Sequence, residues 1–179
     1  MVHPSLSFTD IETNLSRVAA QVNRADYSRS ILEQIDERYD LLVLDWGLER
    51  PDARGILDAF RQNAPETQIL VIAGEIPPDD PVDRGADELL TGPFSDEALY
   101  STIERLLLQK EYEAVMDEFF RLSTERALLE SELQSGLNVA NQYQSLVSEL
   151  YDYRERAASI RDELSGDEFN QALRQLLDE

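Results

Sequence analysis

The sequence predicts an α/β domain with a parallel sheet, followed by an α-helical hairpin or coiled coil. Strand-like and helix-like segments alternate over the first part of the chain, which is typical of a parallel sheet covered by helices. Beyond about residue 108 the strand signals stop, and apolar residues recur in steps of four and three, as in packed helices. We therefore place one domain at residues 1–109 and a second at residues 110–179.

Three short apolar runs predict the strands. Leu41–Leu44 is continuously apolar and leads into Asp45, and Ile69–Ala73 has the same apolar character. Such runs suit parallel strands that are buried on both faces. Glu88–Thr91 is a third, shorter candidate. Ligands of open α/β sheets bind beyond the carboxyl ends of the strands, so Asp45 is a candidate site residue; alternatively, it only closes the loop into the next helix.

Helices are predicted between and around these strands. One helix follows Pro51–Asp52, and a short helix is predicted at Val82–Arg84. Ser95 is a good N-cap for a further helix, because the two acids after it also favour a helix N-terminus. Amphipathic spacing predicts two more helices upstream, near residues 10–20 and 28–38.

Two series of apolar residues define the C-terminal helices, and we call their positions the seam. The first series is Leu108, Tyr112, Val115, Phe119, Leu122, Leu129 and Leu133, and the second is Val139, Tyr143, Leu146, Leu150, Tyr153, Ala157, Ile160 and Leu164. The series are out of phase across Gly136 and Asn138, which suit a helix end and the next N-cap. An antiparallel hairpin is the preferred interpretation. A single long helix in a dimer and two amphipathic helices packed on the first domain are the alternatives.

The second arm of this hairpin is predicted to end before the C-terminus of the chain. Ser165–Gly166 combines a turn-forming residue with a helix breaker, and Asp167 directly after it suits an N-cap. We therefore expect a separate, short terminal helix after residue 167.

The composition excludes several function classes. The net charge is −21, and fifteen of the sixteen basic residues are Arg, which disfavours direct nucleic-acid binding and suits solubility in high salt. The chain has no Cys, so disulfides and Cys-ligated zinc are excluded. His3 is the single His, which disfavours His-based catalysis. No apolar run is long enough to span a membrane and no signal peptide is evident, so we expect a cytoplasmic location.

The segment from about residue 28 to 109 resembles the receiver domain of two-component response regulators, whose fold is flavodoxin-like. The resemblance rests on the order of four motifs: the apolar strand that ends on Asp45, the strand sequence ILVIA, the run Gly85–Glu88, and Pro93–Ser95 leading into Asp-Glu-Ala-Leu. The segment from about residue 112 to 164 resembles the HalX domain, a helical module found behind receiver domains in haloarchaeal regulators. Its features are Lys-Glu-Tyr at 110–112, Ala-Leu-Leu-Glu-Ser-Glu-Leu at 127–133 and Gln-Tyr-Gln-Ser-Leu at 142–146.

The receiver resemblance implies a specific phosphoryl-accepting chemistry, of which this sequence retains one position. The family attaches a phosphoryl group to an Asp, which corresponds to Asp45 here. A hydroxyl residue at the end of the next strand senses the phosphoryl group; Ile72 is the first match to that position and Ala73 the alternative. A Lys precedes a Pro after the last strand, but here Gly92 precedes Pro93. The degenerate receiver positions are therefore Ile72, Ala73, Gly92 and Pro93, whereas Asp45 keeps the acceptor position.

The family also holds Mg²⁺ with an acidic pair that follows its first strand. That pair should fall well upstream of Asp45, and the early acids Asp10 and Glu12 lie too close in sequence to match it well. We therefore expect a receiver sheet that is incomplete at the N-terminus. We expect no catalytic residue, no metal site and no cofactor, with Mg²⁺ bound only if Asp45 is a working phosphoacceptor.

Together these features predict a non-catalytic signalling module of two-component type that acts through protein–protein contacts. The helical hairpin is the expected contact surface, with a histidine kinase, a transcription factor or a second copy of the chain as partner. The alternative is a phosphoaspartate-accepting response regulator in a histidine-kinase phosphorelay, modified at Asp45. A third class is a structural coiled-coil protein in which the α/β part is a scaffold. Direct contact with nucleic acid or membrane is not expected.

Overall fold

The computed structural model describes residues 35, 39–47 and 52–177, with side chains described as far as residue 165. Its three strands are β1 (Leu41–Asp45), β2 (Gln68–Ala73) and β3 (Glu88–Thr91). They form a parallel sheet in the order β1-β2-β3, which confirms the predicted α/β architecture. The helices predicted near residues 10–20 and 28–38, and the predicted incomplete start of the sheet, lie outside the described residues.

Three helices follow or separate these strands. They are α1 (Ala53–Asn63), α2 (Asp96–Gln134) and α3 (Ala140–Leu177). The chain divides into two compact units, Met1–Leu107 and Leu108–Glu179. Because α2 continues through residues 107 and 108, this division falls within a helix and not in a linker. In the described part of the chain, no helix combines the length and the apolar character needed to cross a membrane.

The sheet of the first unit is covered by helices on both faces. Side chains alternate along β2, so that Ile69 and Val71 pack in one apolar cluster and Leu70 in another. The first cluster includes Ile56, Leu57 and Phe60 of α1, and the second includes Leu99, Ile103 and Leu106 of α2. Both helices begin at side-chain caps: Asp52 accepts a hydrogen bond from the Arg54 N–H, and Ser95 Oγ accepts one from the Ala98 N–H at 3.1 Å.

A hydrogen-bond network at the starts of β2 and β3 explains the Gly-Ala-Asp run before β3. The Asp87 carboxylate accepts hydrogen bonds from the Arg61 guanidinium and from the Ile69 N–H, the latter at 2.6 Å. Arg61 also donates to the carbonyls of Gly85 and Thr67. Gly85 has φ = +105°, a conformation that favours Gly, and its position against Arg61 leaves little room for a side chain. The network therefore ties α1 to the starts of β2 and β3.

The short helix predicted at Val82–Arg84 is wrong, because residues 81–85 form a turn. The Ala86 N–H donates back to the Pro81 carbonyl at 2.9 Å, and the positive φ of Gly85 reverses the chain before a helix can extend.

The second unit is the predicted antiparallel hairpin. Leu122 of α2 packs against Leu146 and Leu150 of α3 in a third apolar cluster. Farther from the connection between the helices, Arg156 donates to Glu111 at 2.7 Å. Every seam position named above is buried or half-buried, whereas Arg126, at the gap in the first series, is exposed. The seam therefore lies between the two helices of one chain.

Two details at the ends of α3 differ from the prediction. Gly136 adopts φ = +83° as expected for a helix end, but α3 begins at Ala140, so the residue directly before it is Val139 and not Asn138. The helix also continues through Ser165–Gly166 to Leu177, so the predicted stop and the separate terminal helix capped by Asp167 are wrong. The Ser165 hydroxyl donates to the Arg161 carbonyl one turn earlier, and a single Gly costs a helix only about 1 kcal/mol.

The Asp87 network should contribute substantially to the stability of the first unit. We expect Asp87→Ala to lower the free energy of unfolding by about 2 kcal/mol, because it removes a charged acceptor and leaves the Ile69 N–H unpaired. Asp58→Ala is the matched control, since Asp58 pairs with Arg84 at the surface, and we expect an effect below about 1 kcal/mol. Urea unfolding monitored by circular dichroism measures both. Equal effects would contradict the structural role of Asp87.

Candidate functional site: the carboxyl edge of the sheet

The parallel register brings the ends of all three strands to one edge. Asp45 at the end of β1 is paired with Ile72, and Ala73 at the end of β2 is paired with Thr91. The Gly92 N–H donates to the Ala73 carbonyl at 2.8 Å, which extends the ladder by one residue. The positions that the sequence singled out therefore lie at the same edge, in the place where open α/β sheets bind ligands.

Asp45 is exposed and takes part in a tight turn after β1. Its Oδ1 atom accepts a hydrogen bond from the Gly47 N–H at 2.8 Å. A Cβ atom at Gly47 would lie 3.2 Å from that oxygen, so Gly allows the turn to close this tightly. The Trp46 N–H donates to the Ile72 carbonyl at 2.8 Å, which fixes the turn to β2. Asp45 thus closes the loop, as one interpretation of the sequence predicted, and still presents its carboxylate to solvent.

The two candidates for the hydroxyl position lie on opposite faces of β2. Ile72 packs with the cluster that includes the N-terminal part of α2, and Ala73 belongs to the cluster that includes α1. Neither side chain has a polar atom. Thr91 brings a hydroxyl to this edge, but β3 lies two strands from Asp45, a distance of about 10 Å. Direct hydrogen bonding between Thr91 and Asp45 is therefore excluded by the strand order.

The position of the family's Lys is sterically restricted here. Gly92 is joined to Pro93 by a cis peptide bond. A Cβ atom at Gly92 would lie 3.3 Å from the Gly74 carbonyl oxygen, so any side chain would require a small shift of the β2 end. The edge therefore has no cation at this position.

The described part of this edge does not provide a complete Mg²⁺ site. Mg²⁺ requires octahedral oxygen ligation, usually from one or two carboxylates together with other ligands. Asp45 is the carboxylate at the end of β1, and among the described side chains of residues 39–47 and 52–165 no group of three or more His, Cys, Asp or Glu residues could hold a metal ion. Asp10 and Glu12 lie outside the described residues. The described residues therefore do not fit the metal ion that the receiver resemblance implies.

An ion pair next to this edge was not predicted from the sequence. Arg54, in the first turn of α1, donates to both carboxylate oxygens of Asp79, at 2.7 and 2.8 Å. Its guanidinium carbon lies 4.9 Å from the ring centre of Trp46, in cation–π contact. Trp46 is 7% exposed, so its side chain packs within the fold. Asp79 belongs to the acidic loop after β2 and is bound by Arg54 of α1.

The Arg54–Asp79 pair changes the proton affinity of both groups. Hydrogen bonds from Arg54 hold the pKa of the Asp79 carboxyl below its ordinary value, and the same contact raises the pKa of Arg54. The guanidinium is therefore charged at all accessible pH values and is already neutralised by a carboxylate. It is consequently a poor substitute for the missing Lys.

The lowered pKa of Asp79 predicts an acid-dependent loss of stability. A carboxyl with a lowered folded-state pKa stabilises the fold above its unfolded pKa of about 4, and this stabilisation is lost as the pH falls through the folded value. We expect Asp79→Asn to lower the melting temperature at neutral pH, and the difference from wild type to shrink toward about pH 3. Asp83→Asn, in the same loop, is the control and should follow wild type. A pH-independent difference for Asp79→Asn would contradict the ion pair.

Comparisons with known proteins cover both units of the chain. Residues 108–173 match the family model of the HalX domain. A Haloferax volcanii protein named "Putative transcriptional regulator" is 26% identical over 131 residues, which are 73% of this chain and 22% of that protein. The chain thus spans about a fifth of the length of the curated relative that it matches.

Solved structures of low sequence identity share the fold of the first unit. The receiver domain of a CheY-like response regulator from Methanospirillum hungatei JF-1 has a TM-score of 0.52 at 18% identity, over 59% of this chain and 88% of that one. A Vibrio parahaemolyticus structure described as the "signal receiver domain of putative Luxo repressor protein" has a TM-score of 0.54 at 18% identity, over 63% of this chain and 90% of that one. The chain therefore combines a receiver fold with a helical segment, residues 108–173, that matches the HalX family model.

Proposed function

We propose that this chain is a non-enzymatic regulatory module of two-component type that acts through protein–protein contacts of its helical hairpin. The observation that carries the proposal is the chemistry of the sheet edge. Asp45 keeps the acceptor position, but Ile72, Ala73 and Gly92 supply neither a hydroxyl nor a cation beside it. In this proposal the chain has no catalytic residue and needs no cofactor.

The energetic cost of these replacements supports the proposal. A phosphoryl group on Asp45 would lose the charge-assisted hydrogen bond of the family's Lys, which is worth about 1.5–3 kcal/mol. Arg54 would replace this hydrogen bond poorly, because its Nε and Nη2 atoms already donate to the Asp79 carboxylate. Without a hydroxyl at the end of β2, no group there could move inward to bind the phosphoryl oxygens. Phosphorylation would therefore be unfavourable and would have no evident way to change the fold.

The hairpin has the features of a contact surface. Its seam is filled by its own two helices, and several large apolar side chains outside the seam are exposed to solvent, namely Phe120, Leu128, Leu137, Val147 and Tyr151. The strong negative charge disfavours direct binding to nucleic acid. We infer that any effect on transcription, as the name of the Haloferax relative suggests, passes through a protein partner such as a transcription factor or a histidine kinase.

A second candidate function is phosphoacceptance at Asp45, which would require Mg²⁺. The exposure of Asp45 at the carboxyl edge of a receiver fold favours it, because one carboxylate oxygen remains open to solvent while Oδ1 binds the Gly47 N–H. The two functions make opposite predictions for a single experiment.

We expect no phosphorylation when the full chain is incubated with acetyl phosphate and Mg²⁺. The aspartyl phosphate should be undetectable by intact mass measurement, because the charge-neutralising groups are missing. An active receiver domain, treated identically, is the positive control.

A phosphoryl mass gain in the wild-type chain that is absent from Asp45→Ala would overturn the proposal and establish the second candidate. A gain that persists in Asp45→Ala would show modification elsewhere and would leave the sheet edge inactive.

A further inference from the structure

Exposed apolar side chains lie directly beside the seam of the hairpin. Phe120, Val147 and Tyr151 are 59%, 41% and 60% exposed. Each follows a seam residue in sequence, namely Phe119, Leu146 and Leu150 respectively. Large apolar groups that repeat in this way are unusual on the free surface of a strongly acidic protein.

The helix geometry places these three side chains on one side of the hairpin. Each residue of an α-helix is rotated by about 100° from the one before it. Because α2 and α3 are antiparallel and face each other along the seam, the residue directly after a seam residue lies on the same side of the hairpin in both helices. Positions one before the seam point to the opposite side, where the contact between Arg156 and Glu111 is observed. We call the side that follows the seam the Phe120 face.

The Arg156–Glu111 contact also defines the axial register of the two helices, that is, which residue of α2 lies at the same height as which residue of α3. We call each such height a level. Counting from this contact along both helices, the residues of the Phe120 face form matched pairs. They are Glu113 with Arg154, Met116 with Tyr151, Phe120 with Val147, Ser123 with Gln144, and Ala127 with Ala140. Five levels thus join residues of the same kind or of opposite charge: one acid with one base, two apolar pairs, a polar pair and a small pair. Gln109 with Ala158, at the far end of the face, is an unlike pair.

The opposite side of the hairpin has a different character. Glu118, Arg121 and Glu125 form ion pairs with one another there, at 2.6 and 3.2 Å. Arg121 lowers the pKa of Glu118 through these hydrogen bonds. The two acids share one base, so this cluster keeps a net negative charge. On the Phe120 face, in contrast, the five paired levels carry one acid and one base.

We infer that the Phe120 face binds the same face of a second copy of this chain. A two-fold axis along the hairpin sets α2 of one copy against α3 of the other at equal height. Each level then meets its matched partner across the interface: Glu113 meets Arg154, and Phe120 meets Val147. A two-fold interface requires this self-complementarity, because a residue i that contacts j implies that j contacts i. The inference rests on the proposed function and names the contact partner.

The charge distribution favours this side over any other for self-association. At a net charge of −21 two copies repel each other, so a stable interface must bury few uncompensated acids. The levels from Met116 to Ala127 on α2, and from Ala140 to Tyr151 on α3, have no charged residue on the Phe120 face. The resulting arrangement is a four-helix bundle with both hairpin connections at the same end.

The oligomeric state of the full chain tests the inference. We expect sedimentation equilibrium in high salt, which screens the net repulsion, to show a dimer. Phe120→Glu should weaken the dimer at least about tenfold, since it places a charge in the centre of the interface. Leu128→Glu is the matched control, because Leu128 is apolar, 63% exposed and on the same helix, but precedes a seam residue. It should leave the dimer intact.

A charge exchange tests the proposed register. Glu113→Arg alone should weaken the dimer, and so should Arg154→Glu alone, because each sets like charges against one another. The double variant should restore dimerisation toward the wild-type level. Circular dichroism checks that the helical content of every variant equals that of wild type.

Three results would overturn the inference. They are a wild-type chain that is monomeric at all concentrations, a dimer that Phe120→Glu and Leu128→Glu affect equally, and a charge exchange that restores nothing. None of these results bears on acetyl phosphate labelling, so a failure of the dimer remains distinguishable from a failure of the proposed function.

Discussion

Burial of β2 on both faces is the constraint on which the rest of the first unit depends. Ile69, Leu70 and Val71 are each 0% exposed, because α1 covers one face of the strand and the start of α2 the other. A shift of one residue would exchange the two sets of side chains between the faces, so the register is fixed. With the register fixed, the ends of β1, β2 and β3 must meet at one edge.

The same constraint involves the end of β2 itself. Ile72 and Ala73 pack in the apolar clusters on the two faces of the sheet. Apolar residues at the positions where the receiver resemblance implies a hydroxyl are therefore compatible with the intact sheet. Near the edge, Asp79, Arg54 and Trp46 bind one another. These contacts stabilise the loops next to the edge. The exposed apolar side chains that suit partner binding lie in the hairpin.

The sequence predicted the elements whose signals are periodic or local. The seam was predicted position by position, because burial between two helices imposes a repeat on the sequence. The continuation of α3 through Ser165–Gly166 was not predicted. A prediction from sequence relies on local helix-breaking residues, and a single Gly does not end this helix. The pairing of Arg54 with Asp79 was also missed. These residues are 25 positions apart, and only the packing of a loop on α1 brings them together.

The central claim is that the sheet edge does not respond to a phosphoryl group. Trp46 is the single Trp of the chain and directly follows Asp45, so its fluorescence reports on this edge. Titration of the full chain with Mg²⁺ and beryllofluoride, which mimics an aspartyl phosphate, tests the claim most directly. The account predicts no change in Trp46 emission. A saturable change that disappears in Asp45→Ala would contradict it.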